Sequence, residues 1–212
     1  MKKSLFIGAS SDIGIEVVKL LLKKNYYSYC TFYKNSQSLK LIKKENPQKI
    51  NLFKLNLSKI GEVKKFVDKL KNKTKKIDLL ILGANIPIKR KKFELLNLKS
   101  FKNKISSNFL SNVFLLQLLI KIFINGNLKI IHISSLASKN GSWGLSEYSS
   151  SKAALDNVLK CINHEYKKLR IKSIYLGAVK TRGYFFTNKI KNKDKKKFIT
   201  PLQAAKKILV NI

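Results

Sequence analysis

Six short apolar runs alternate with amphipathic helical stretches along the chain, and this alternation limits the fold more than any other feature. The runs lie at residues 4–7, 27–33, 49–55, 78–83, 129–135 and 171–177. Strands that are apolar along most of their length, separated by helices, are typical of a parallel sheet covered on both faces. The pattern therefore predicts a doubly wound α/β fold of about six strands, in which ligands bind beyond the carboxyl ends of the strands.

The helical stretches between these runs lie at residues 12–24, 37–45, 59–71, about 95–124 and 148–169. A last helix is predicted from Thr200-Pro201-Leu202-Gln203, because threonine suits the N-cap, proline the first turn and glutamine a capping box. No internal repeat or linker divides the sequence, so residues 1–212 are expected to form a single domain. The charged residues 189–197 are expected to form a mobile, solvated loop.

Basic residues dominate the composition: 45 lysines and arginines accompany only 11 acidic residues, for a net charge of +34. Nucleic-acid readers favour arginine for bidentate contacts, yet only Arg90, Arg170 and Arg182 are present. The lysines are spread over nearly every segment, so no nucleic-acid partner is expected. The positive field can still attract an anionic cofactor or substrate.

Four residues of chemically versatile type receive no catalytic or metal-binding role. Cys30 and Cys161 lie far apart and form no CxxC pair, which suits a reducing cytoplasm and predicts no disulfide framework. His132 and His164 are interpreted as structural, and no metal site is expected because no acidic or cysteine cluster is found near them. The N-terminal apolar stretch is too short for a signal peptide, and the apolar segment 112–124 is too short to span a bilayer. A cytoplasmic protein that makes no membrane contact is expected.

The first strand runs directly into Gly8-Ala9-Ser10-Ser11-Asp12-Ile13-Gly14, and a helix follows. Small residues in such a turn let backbone amides approach a pyrophosphate at the helix N-terminus. A tight turn between a strand and a helix has the same composition without any ligand. By itself this motif leaves both interpretations open.

A tyrosine and a lysine open the helix at 148–169. Tyr148 and Lys152 are four residues apart, so they lie on one face of that helix, one turn apart. In isolation they fit a solvated surface pair equally well, because lysine is the commonest residue of this chain. Ser135 precedes Tyr148 by thirteen residues, at the predicted end of the fifth strand, and Asn108 lies in the helix before that strand.

Together with the glycine turn, these four residues resemble the short-chain dehydrogenase/reductase family. Its glycine signature is GxxxGxG, and its catalytic set is Asn-Ser-Tyr-Lys in this order and spacing. The resemblance covers residues 4 to about 208 and implies a Rossmann-type, single dinucleotide-binding and catalytic domain. It implies an oxidoreductase that acts on a small-molecule carbonyl or alcohol. The family's usual final strand is missing after the last helix, so six strands are expected.

The groups themselves suit this chemistry. A ketone that accepts a hydride also needs a proton, and a phenol with a pKa of about 10 is a weak base at neutral pH. A nearby Lys152 ammonium is expected to lower the pKa of Tyr148, which then acts as general acid in reduction and general base in oxidation. Ser135 would hold the substrate oxygen. The resemblance implies that Lys152 also grips the nicotinamide ribose and that Asn108 holds a water linking Lys152 to solvent.

The resemblance also implies a set of cofactor contacts, some of which depart from the family pattern. Asp12 replaces the second motif glycine, Leu82 replaces the first asparagine of the family's NNAG, and Asn56 replaces an aspartate that contacts adenine. The expected cofactor-binding residues are Gly8, Ser10, Ser11, Asp12, Ile13, Gly14, Lys34, Asn56, Leu57, Gly83, Ala84, Asn85, Tyr148, Lys152, Val179 and Thr181.

NADP(H) is expected rather than NAD(H), because of the residues that end the second strand. A chain that uses NAD commonly places a carboxylate there to bond the adenosine ribose hydroxyls. Tyr33 occupies that position, and Lys34 follows it, where NADP-preferring relatives often have arginine. The Lys34 ammonium would meet the 2′-phosphate, with Ser10 and Ser11 as further donors. The alternative is that Lys34 is one more surface lysine.

A homodimer is expected through helices 101–124 and 148–169. These helices carry more apolar residues than one buried face requires, for example Phe109, Val113, Phe114, Leu116 and Leu119.

The substrate stays open among a sugar, a fatty acyl thioester and a small ketone. Trp143 and Tyr184-Phe185-Phe186 fit ordinary packing and a substrate pocket about equally. The competing function is a non-catalytic dinucleotide sensor on the same fold. The complete set of Asn108, Ser135, Tyr148 and Lys152 argues against that alternative.

Overall fold

The computed structural model describes residues 1–86, 89–124, 127–187, 198–210 and 212. Six strands form one sheet in the order β3-β2-β1-β4-β5-β6, and every neighbouring pair is parallel. The strands are β1 (Lys2–Ile7), β2 (Tyr26–Phe32), β3 (Ile50–Lys54), β4 (Leu79–Leu82), β5 (Lys129–Ser135) and β6 (Arg170–Leu176). The prediction of a doubly wound parallel sheet is confirmed. The charged segment 189–197 lies outside the described residues.

Helices cover both faces of this sheet. They are α1 (Asp12–Lys23), α2 (Gln37–Glu45), α3 (Ile60–Lys73), α4 (Leu98–Ile105), α5 (Ser111–Phe123), α6 (Leu136–Asn140), α7 (Ser146–Glu165), α8 (Arg182–Thr187) and α9 (Pro201–Leu209). A π-helix, Ser106–Leu110, joins α4 to α5. The longer helices lie within a few residues of their predicted ranges. Neither α6 nor α8 was predicted, because helices of five and six residues are too short for an apolar period to show.

Two apolar layers enclose the sheet. Leu5 and Ile7 of β1 pack in one layer with side chains of α3, α5 and α7, whereas Phe6 packs in the other with α1, α2 and α9. This division follows from the strand geometry, because successive side chains point to opposite faces. Strands buried on both faces explain why the sequence runs are apolar almost throughout.

The strand order reverses beside β1. From β1 the chain continues outward through β2 to β3, and it then crosses to β4 on the other side of β1. The crossover leaves a crevice beyond the carboxyl ends of β1 and β4, which is where open α/β sheets bind their ligands. The turn after β1 and the loop after β4 therefore border the expected site.

The predicted capping box at the start of α9 is confirmed. The Gln203 backbone N–H donates to Thr200 Oγ1 at 3.1 Å, and the Thr200 N–H donates to Gln203 Oε1 at 2.8 Å. These bonds satisfy two backbone donors at the start of the helix. The cap holds α9 where it packs against α1 in the second apolar layer.

Among the residues that the structure describes, one helical segment is long and apolar enough to cross a membrane. Leu98–Phe123 spans 26 residues and passes that test by length and composition, so the expectation based on 112–124 underestimated its length. The difference arises because α4 and the π-helix continue α5 toward the N-terminus. Within the most apolar part of the segment 44% is buried, and Leu115, Leu116 and Leu119 lie in the core. A core helix of a globular protein passes the same test of length and composition.

Candidate functional site

The turn after β1 is pressed against the loop after β4. Gly8 has a φ of +86°, and a Cβ atom on it would lie 2.5 Å from the Cα of Ala84. Only glycine fits this backbone conformation and this close approach. The Gly8 N–H donates to Thr31 Oγ1 and the Ala9 N–H to the Thr31 carbonyl, both at 2.9 Å. Strand β2 therefore fixes the turn from its other side.

Helix α1 begins inside this turn. Ser11 is its N-cap, and the Ser11 hydroxyl oxygen accepts a hydrogen bond from the Gly14 N–H at 3.0 Å. A Cβ atom on Gly14 would lie 2.5 Å from the Ala9 carbonyl oxygen, so the helix starts in direct contact with the turn. Ser10 and Ile13 are partly buried beside it. The positive end of the α1 dipole thus faces the crevice.

The Asp12 carboxylate is held by an arginine that the sequence motifs did not single out. Its Oδ2 accepts from the Arg182 backbone N–H at 2.6 Å, and its Oδ1 accepts from the Arg182 Nε and Nη2 at 2.8 and 2.7 Å. This ion pair joins the start of α1 to the start of α8 across the crevice. It also compensates the negative charge that Asp12 places where the family has a glycine.

The loop after β4 lies on the same edge of the sheet. Leu82 is buried in the core, so it serves packing rather than polar support. The Gly83 N–H donates to the Ile7 carbonyl at 2.9 Å, which holds the start of the loop beside β1. Asn85 is exposed beyond it. The next residue, Ile86, donates its N–H to Asn108 Oδ1 at 3.1 Å.

Asn108 lies in the π-helix between α4 and α5 and is 1% exposed. Its side-chain amide donates to Ser151 Oγ at 3.3 Å, and its backbone carbonyl oxygen accepts from Asn112 Nδ2 at 3.0 Å. Asn108 therefore connects the loop after β4 with helix α7. A π-helical turn shifts side chains relative to the α-helical period and is frequent at functional sites.

Ser135 and Tyr148 meet at the carboxyl end of β5. Ser135 ends that strand and caps α6, accepting from the Ala137 N–H at 3.2 Å. Burial raises the pKa of Tyr148, the Ser135 hydrogen bond acts in the opposite direction, and the nearby Asp156 charge raises the pKa further. The expected lowering of the Tyr148 pKa is wrong for this structure, because burial outweighs the hydrogen bond.

Lys152 is directed into the protein. It is 3% exposed, and its Nζ donates to the Ile133 carbonyl at 2.9 Å and lies 3.4 Å from His132 Nε2. Burial lowers the pKa of Lys152 to about 8, and the Asp156 charge acts in the opposite direction. Lys152 thus lies one helical turn from Tyr148, as predicted, but its ammonium is bound to strand β5.

His132 lies next to an acidic side chain, Asp156, which the residues near His132 in the sequence did not indicate. Helix α7 places Asp156 Oδ1 2.9 Å from His132 Nδ1, and both side chains are buried. Burial lowers the pKa of His132 to about 4, the Lys152 charge lowers it as well, and Asp156 acts in the opposite direction. The spacing of Asp156 four residues after Lys152 is the signal that could have revealed this contact.

The remaining expected cofactor residues follow the carboxyl ends of β3 and β6. Asn56 is buried, and its Oδ1 accepts from the Ser58 N–H and hydroxyl at 3.0 and 2.7 Å. The Leu57 carbonyl accepts from Ser111 Oγ. After β6, Val179 is buried and forms an isolated parallel bridge with Ile199. Thr181 Oγ1 accepts from the Tyr184 N–H at 3.2 Å.

The end of β2 presents a phenol and an ammonium. Tyr33 is 45% exposed, and Lys34 Nζ lies 5.6 Å from the centre of its ring. Between β2 and α2, residues 33–36 include no carboxylate. Lys34 lies two residues after Phe32, the last residue of β2, which pairs with Lys54 of β3. Lys34 is therefore close to the carboxyl edge of the sheet.

Arg90 connects the segment after β4 with the loop before α7 and with helix α8. One guanidinium nitrogen donates to Ser142 Oγ at 3.2 Å and to the Trp143 carbonyl, and the other lies 3.5 Å from the Tyr184 hydroxyl. Trp143 is 68% exposed. Tyr184 and Phe185 both contact the ring of Phe198, which is stacked on that of Phe185. Tyr184, Phe185 and Phe198 thus form an aromatic cluster next to Arg90.

Comparisons with known proteins agree with this arrangement. A family model described as short chain dehydrogenase matches residues 2–191. Dehydrogenase/reductase SDR family protein 7-like of Dictyostelium discoideum is 27% identical over 225 residues, which cover 99% of this chain and 70% of that protein. A fatty acyl-CoA reductase of Acinetobacter baylyi is 27% identical over 187 residues, which cover 85% of this chain and 63% of that protein.

A solved structure shows the same fold. The X-ray structure of an alcohol dehydrogenase from Thermococcus sibiricus, complexed with 5-hydroxy-NADP, matches with a TM-score of 0.86 at 21% identity. The match covers 100% of this chain and 91% of that chain.

Proposed function

The chain belongs to the short-chain dehydrogenase family, and we propose that it is an NADPH-dependent reductase of a small carbonyl compound, or the corresponding alcohol dehydrogenase in reverse. The observation that carries the proposal is the meeting of Ser135 and Tyr148 at the carboxyl end of β5. Lys152 lies one helical turn from Tyr148, and Asn108 is hydrogen-bonded to Ser151 of the same helix. A dinucleotide sensor needs no such proton donor.

The crevice suits a nicotinamide dinucleotide. The close turn at Gly8, the N-terminus of α1 and the crossover between β1 and β4 together form an anion-binding edge. Residues 8–14 would hold the pyrophosphate, Asn56 and Leu57 the adenine side, and Val179 and Thr181 the nicotinamide side. When bound, the dinucleotide donates or accepts the hydride.

The end of β2 supports NADP(H) over NAD(H). Lys34 offers an ammonium to a 2′-phosphate, and no carboxylate between β2 and α2 would repel it. The exposed Tyr33 ring lies beside that ammonium.

Tyr148 is well suited to donate a proton. Because burial raises its pKa, the phenol keeps its proton at neutral pH and can deliver it to an oxygen that gains negative charge. The Ser135 hydroxyl lies beside it and can bind the same oxygen. In the reverse reaction the same oxygen of Tyr148 would take up the proton of the alcohol.

The apolar surface of α5 and the π-helix supports a homodimer. Leu110 is 48% exposed, and Val113 and Phe114 are only partly buried although they border the first apolar layer. A second copy would cover these side chains with the same surface in a two-fold arrangement.

The activity can be tested with a panel of aldehydes, ketones, keto acids and acyl thioesters by following NADPH absorbance. We expect turnover of at least one carbonyl compound with NADPH, and slower turnover of the same compound with NADH. Tight NADPH binding by calorimetry without turnover of any panel compound, by either coenzyme and in either direction, would favour the sensor.

A further inference from the structure

The proposed mechanism leaves His132 and Asp156 without a role, although both are buried behind Lys152. His132 is 0% exposed and is the only fully buried ionisable side chain that contacts Lys152 among the described residues. Its two ring nitrogens face different partners: Nδ1 lies 2.9 Å from Asp156 Oδ1, and Nε2 lies 3.4 Å from Lys152 Nζ. The three side chains form a continuous row inside the protein.

Helix phase and strand register bring this row together. Lys152 and Asp156 lie one turn apart on the same face of α7 as Tyr148. His132 and Ser134 lie on the same face of β5, because they are two residues apart. On the neighbouring strands His132 is paired with Leu82 and Ser173, which carry no charge. The ionisable groups that contact the imidazole are Lys152 and Asp156 of α7. Tyr175 of β6, which pairs with Ser134, lies near the Asp156 carboxylate.

The hydrogen-bond partners determine where the imidazole proton lies. An ammonium only donates hydrogen bonds, so Nε2 must accept from Lys152 and the proton of the neutral ring must be on Nδ1. That N–H then donates to Asp156. The carboxylate is further bound by the hydroxyls of Ser134 at 2.6 Å and Ser138 at 2.9 Å. Asp156 thus has enough donors to stay ionised inside the protein.

We propose that His132 and Asp156 are positioning residues for Lys152: Asp156 holds the imidazole in the Nδ1–H tautomer, and His132 Nε2 then fixes the ammonium against β5. The proposal rests on the proposed function in so far as Lys152 serves the cofactor and Tyr148. It predicts that the imidazole stays neutral and that the position of the ammonium depends on the tautomer. The lowered pKa values of His132 and Lys152 agree with it.

The tautomer can be observed directly, because the chain has only two histidines. In protein labelled with 15N-histidine, the substitution His164→Gln removes the second histidine, so every remaining imidazole signal belongs to His132. We expect a neutral Nδ1–H ring that does not titrate between pH 8 and pH 5.5. Asp156→Leu removes the acceptor that holds the proton on Nδ1, so a share of the rings should carry the proton on Nε2 and lose the contact with the Lys152 ammonium. An imidazolium, or the Nε2–H tautomer in the otherwise unaltered protein, would overturn the proposal.

Two substitutions of His132 separate positioning from mere packing. An asparagine side chain is short, and its amide reaches only the position of Nδ1, so His132→Asn keeps a donor for Asp156 and loses the acceptor for Lys152. The longer side chain of His132→Gln can place an oxygen near the position of Nε2. We expect His132→Asn to weaken NADPH binding and to lower kcat, each by about tenfold. His132→Gln should keep most of the native NADPH affinity and kcat.

Melting temperatures of both variants provide the control for stability. Equal NADPH affinity and kcat in unaltered protein and a folded His132→Asn variant would refute the positioning role, as would equal losses in both variants. If neither variant folds, the NMR tautomer of the native ring still decides. If the enzyme has no carbonyl substrate, the NMR result and the NADPH affinities are unaffected, so the two proposals can fail separately.

Discussion

At the scale of single residues, the site depends on side chains whose ionisation is set by burial. Burial raises the pKa of the Tyr148 phenol, which stays protonated, and it lowers the pKa of the Lys152 ammonium. The two shifts are opposite in sign because burial disfavours whichever form is charged. A proton donor and an easily neutralised ammonium thus lie one helical turn apart.

Removing the phenol oxygen should abolish turnover. Tyr148→Phe keeps the ring that packs behind Ser135 but has no proton to give, so we expect kcat to fall by at least about a hundredfold with NADPH binding nearly unchanged. The measurement is steady-state NADPH consumption with the identified substrate, beside calorimetric binding. Tyr166→Phe is the matched control, because it removes an exposed phenol just after the end of α7. A rate in Tyr148→Phe above one tenth of the native rate would contradict the assigned role.

The end of β2 should decide between the two coenzymes. Lys34→Ala removes the ammonium proposed to meet the 2′-phosphate, which is worth ~1 kcal/mol in water or about fivefold in affinity. We expect weaker NADPH binding and unchanged NADH binding, by fluorescence titration. Lys40→Ala, an exposed lysine on the following helix, should change neither affinity. Equal binding of both coenzymes by the native protein would disprove the preference itself.

At the scale of elements, the carboxyl edge of the sheet is held together by contacts between distant segments. Asn108 connects the loop after β4 with α7, and Arg90 connects the segment after β4 with the loop before α7 and with α8. Asp12 and Arg182, 170 residues apart in the chain, connect α1 with α8. These contacts place segments from both halves of the chain around one crevice.

Breaking the contact between α1 and α8 should weaken coenzyme binding. Arg182→Ala leaves the Asp12 carboxylate uncompensated near the phosphates, and one such charge corresponds to about fivefold in NADPH affinity. Adding Asp12→Ser to this variant should recover most of the loss, since the repelling charge is then gone. Arg170→Ala serves as the control arginine on β6. If Arg182→Ala binds NADPH as tightly as the native protein, the carboxylate does not act on the phosphates.

At the scale of the whole molecule, the buried imidazole links stability to pH. Its pKa is about 4 in the folded protein against an ordinary value of about 6.5, so the unfolded chain binds more protons between these values. Stability is therefore lost as the pH falls from 6.5 to 4, by up to about 3 kcal/mol. The lowered pKa of Asp156 adds a loss at still lower pH.

Urea unfolding at pH 7 and at pH 4.5 measures this dependence. We expect His132→Gln to lose less stability between these two values than the native protein, while His164→Gln behaves like the native protein. The carboxylates that titrate in the same range are common to all three proteins, so the difference between variants reports the imidazole. Equal pH dependence in all three would show that His132 does not take up a proton on unfolding.

Assembly is the other property of the whole molecule. We expect a dimer at micromolar concentration by light scattering, and Leu110→Glu should convert it to a folded monomer because the charge would be buried without a partner. Leu41→Glu, at a leucine of α2 that is 57% exposed, is the control and should leave the dimer intact. A native monomer at this concentration would refute the dimer.

The sequence alone was sufficient to predict the parallel sheet and to select the four residues proposed as the catalytic set. The sheet follows from local signals, because apolar runs and amphipathic stretches have distinct periods. Tyr148 and Lys152 share a helix face by their spacing, but the set of four was selected through its resemblance to the order and spacing of the family's catalytic residues. The α9 cap was predictable from a local signal as well, because its four residues bond only to one another.

Only the tertiary structure decided the charges inside the site. Whether Asp156 meets His132, and Arg182 meets Asp12, depends on how α7 crosses β5 and where α8 lies after β6, which no short sequence motif encodes. The direction of the Tyr148 pKa shift was wrong from the sequence because spacing reveals a neighbouring ammonium but not the loss of water around the phenol. Burial is a property of the packed molecule, so its effect on each ionisable group appears only when every element is in place.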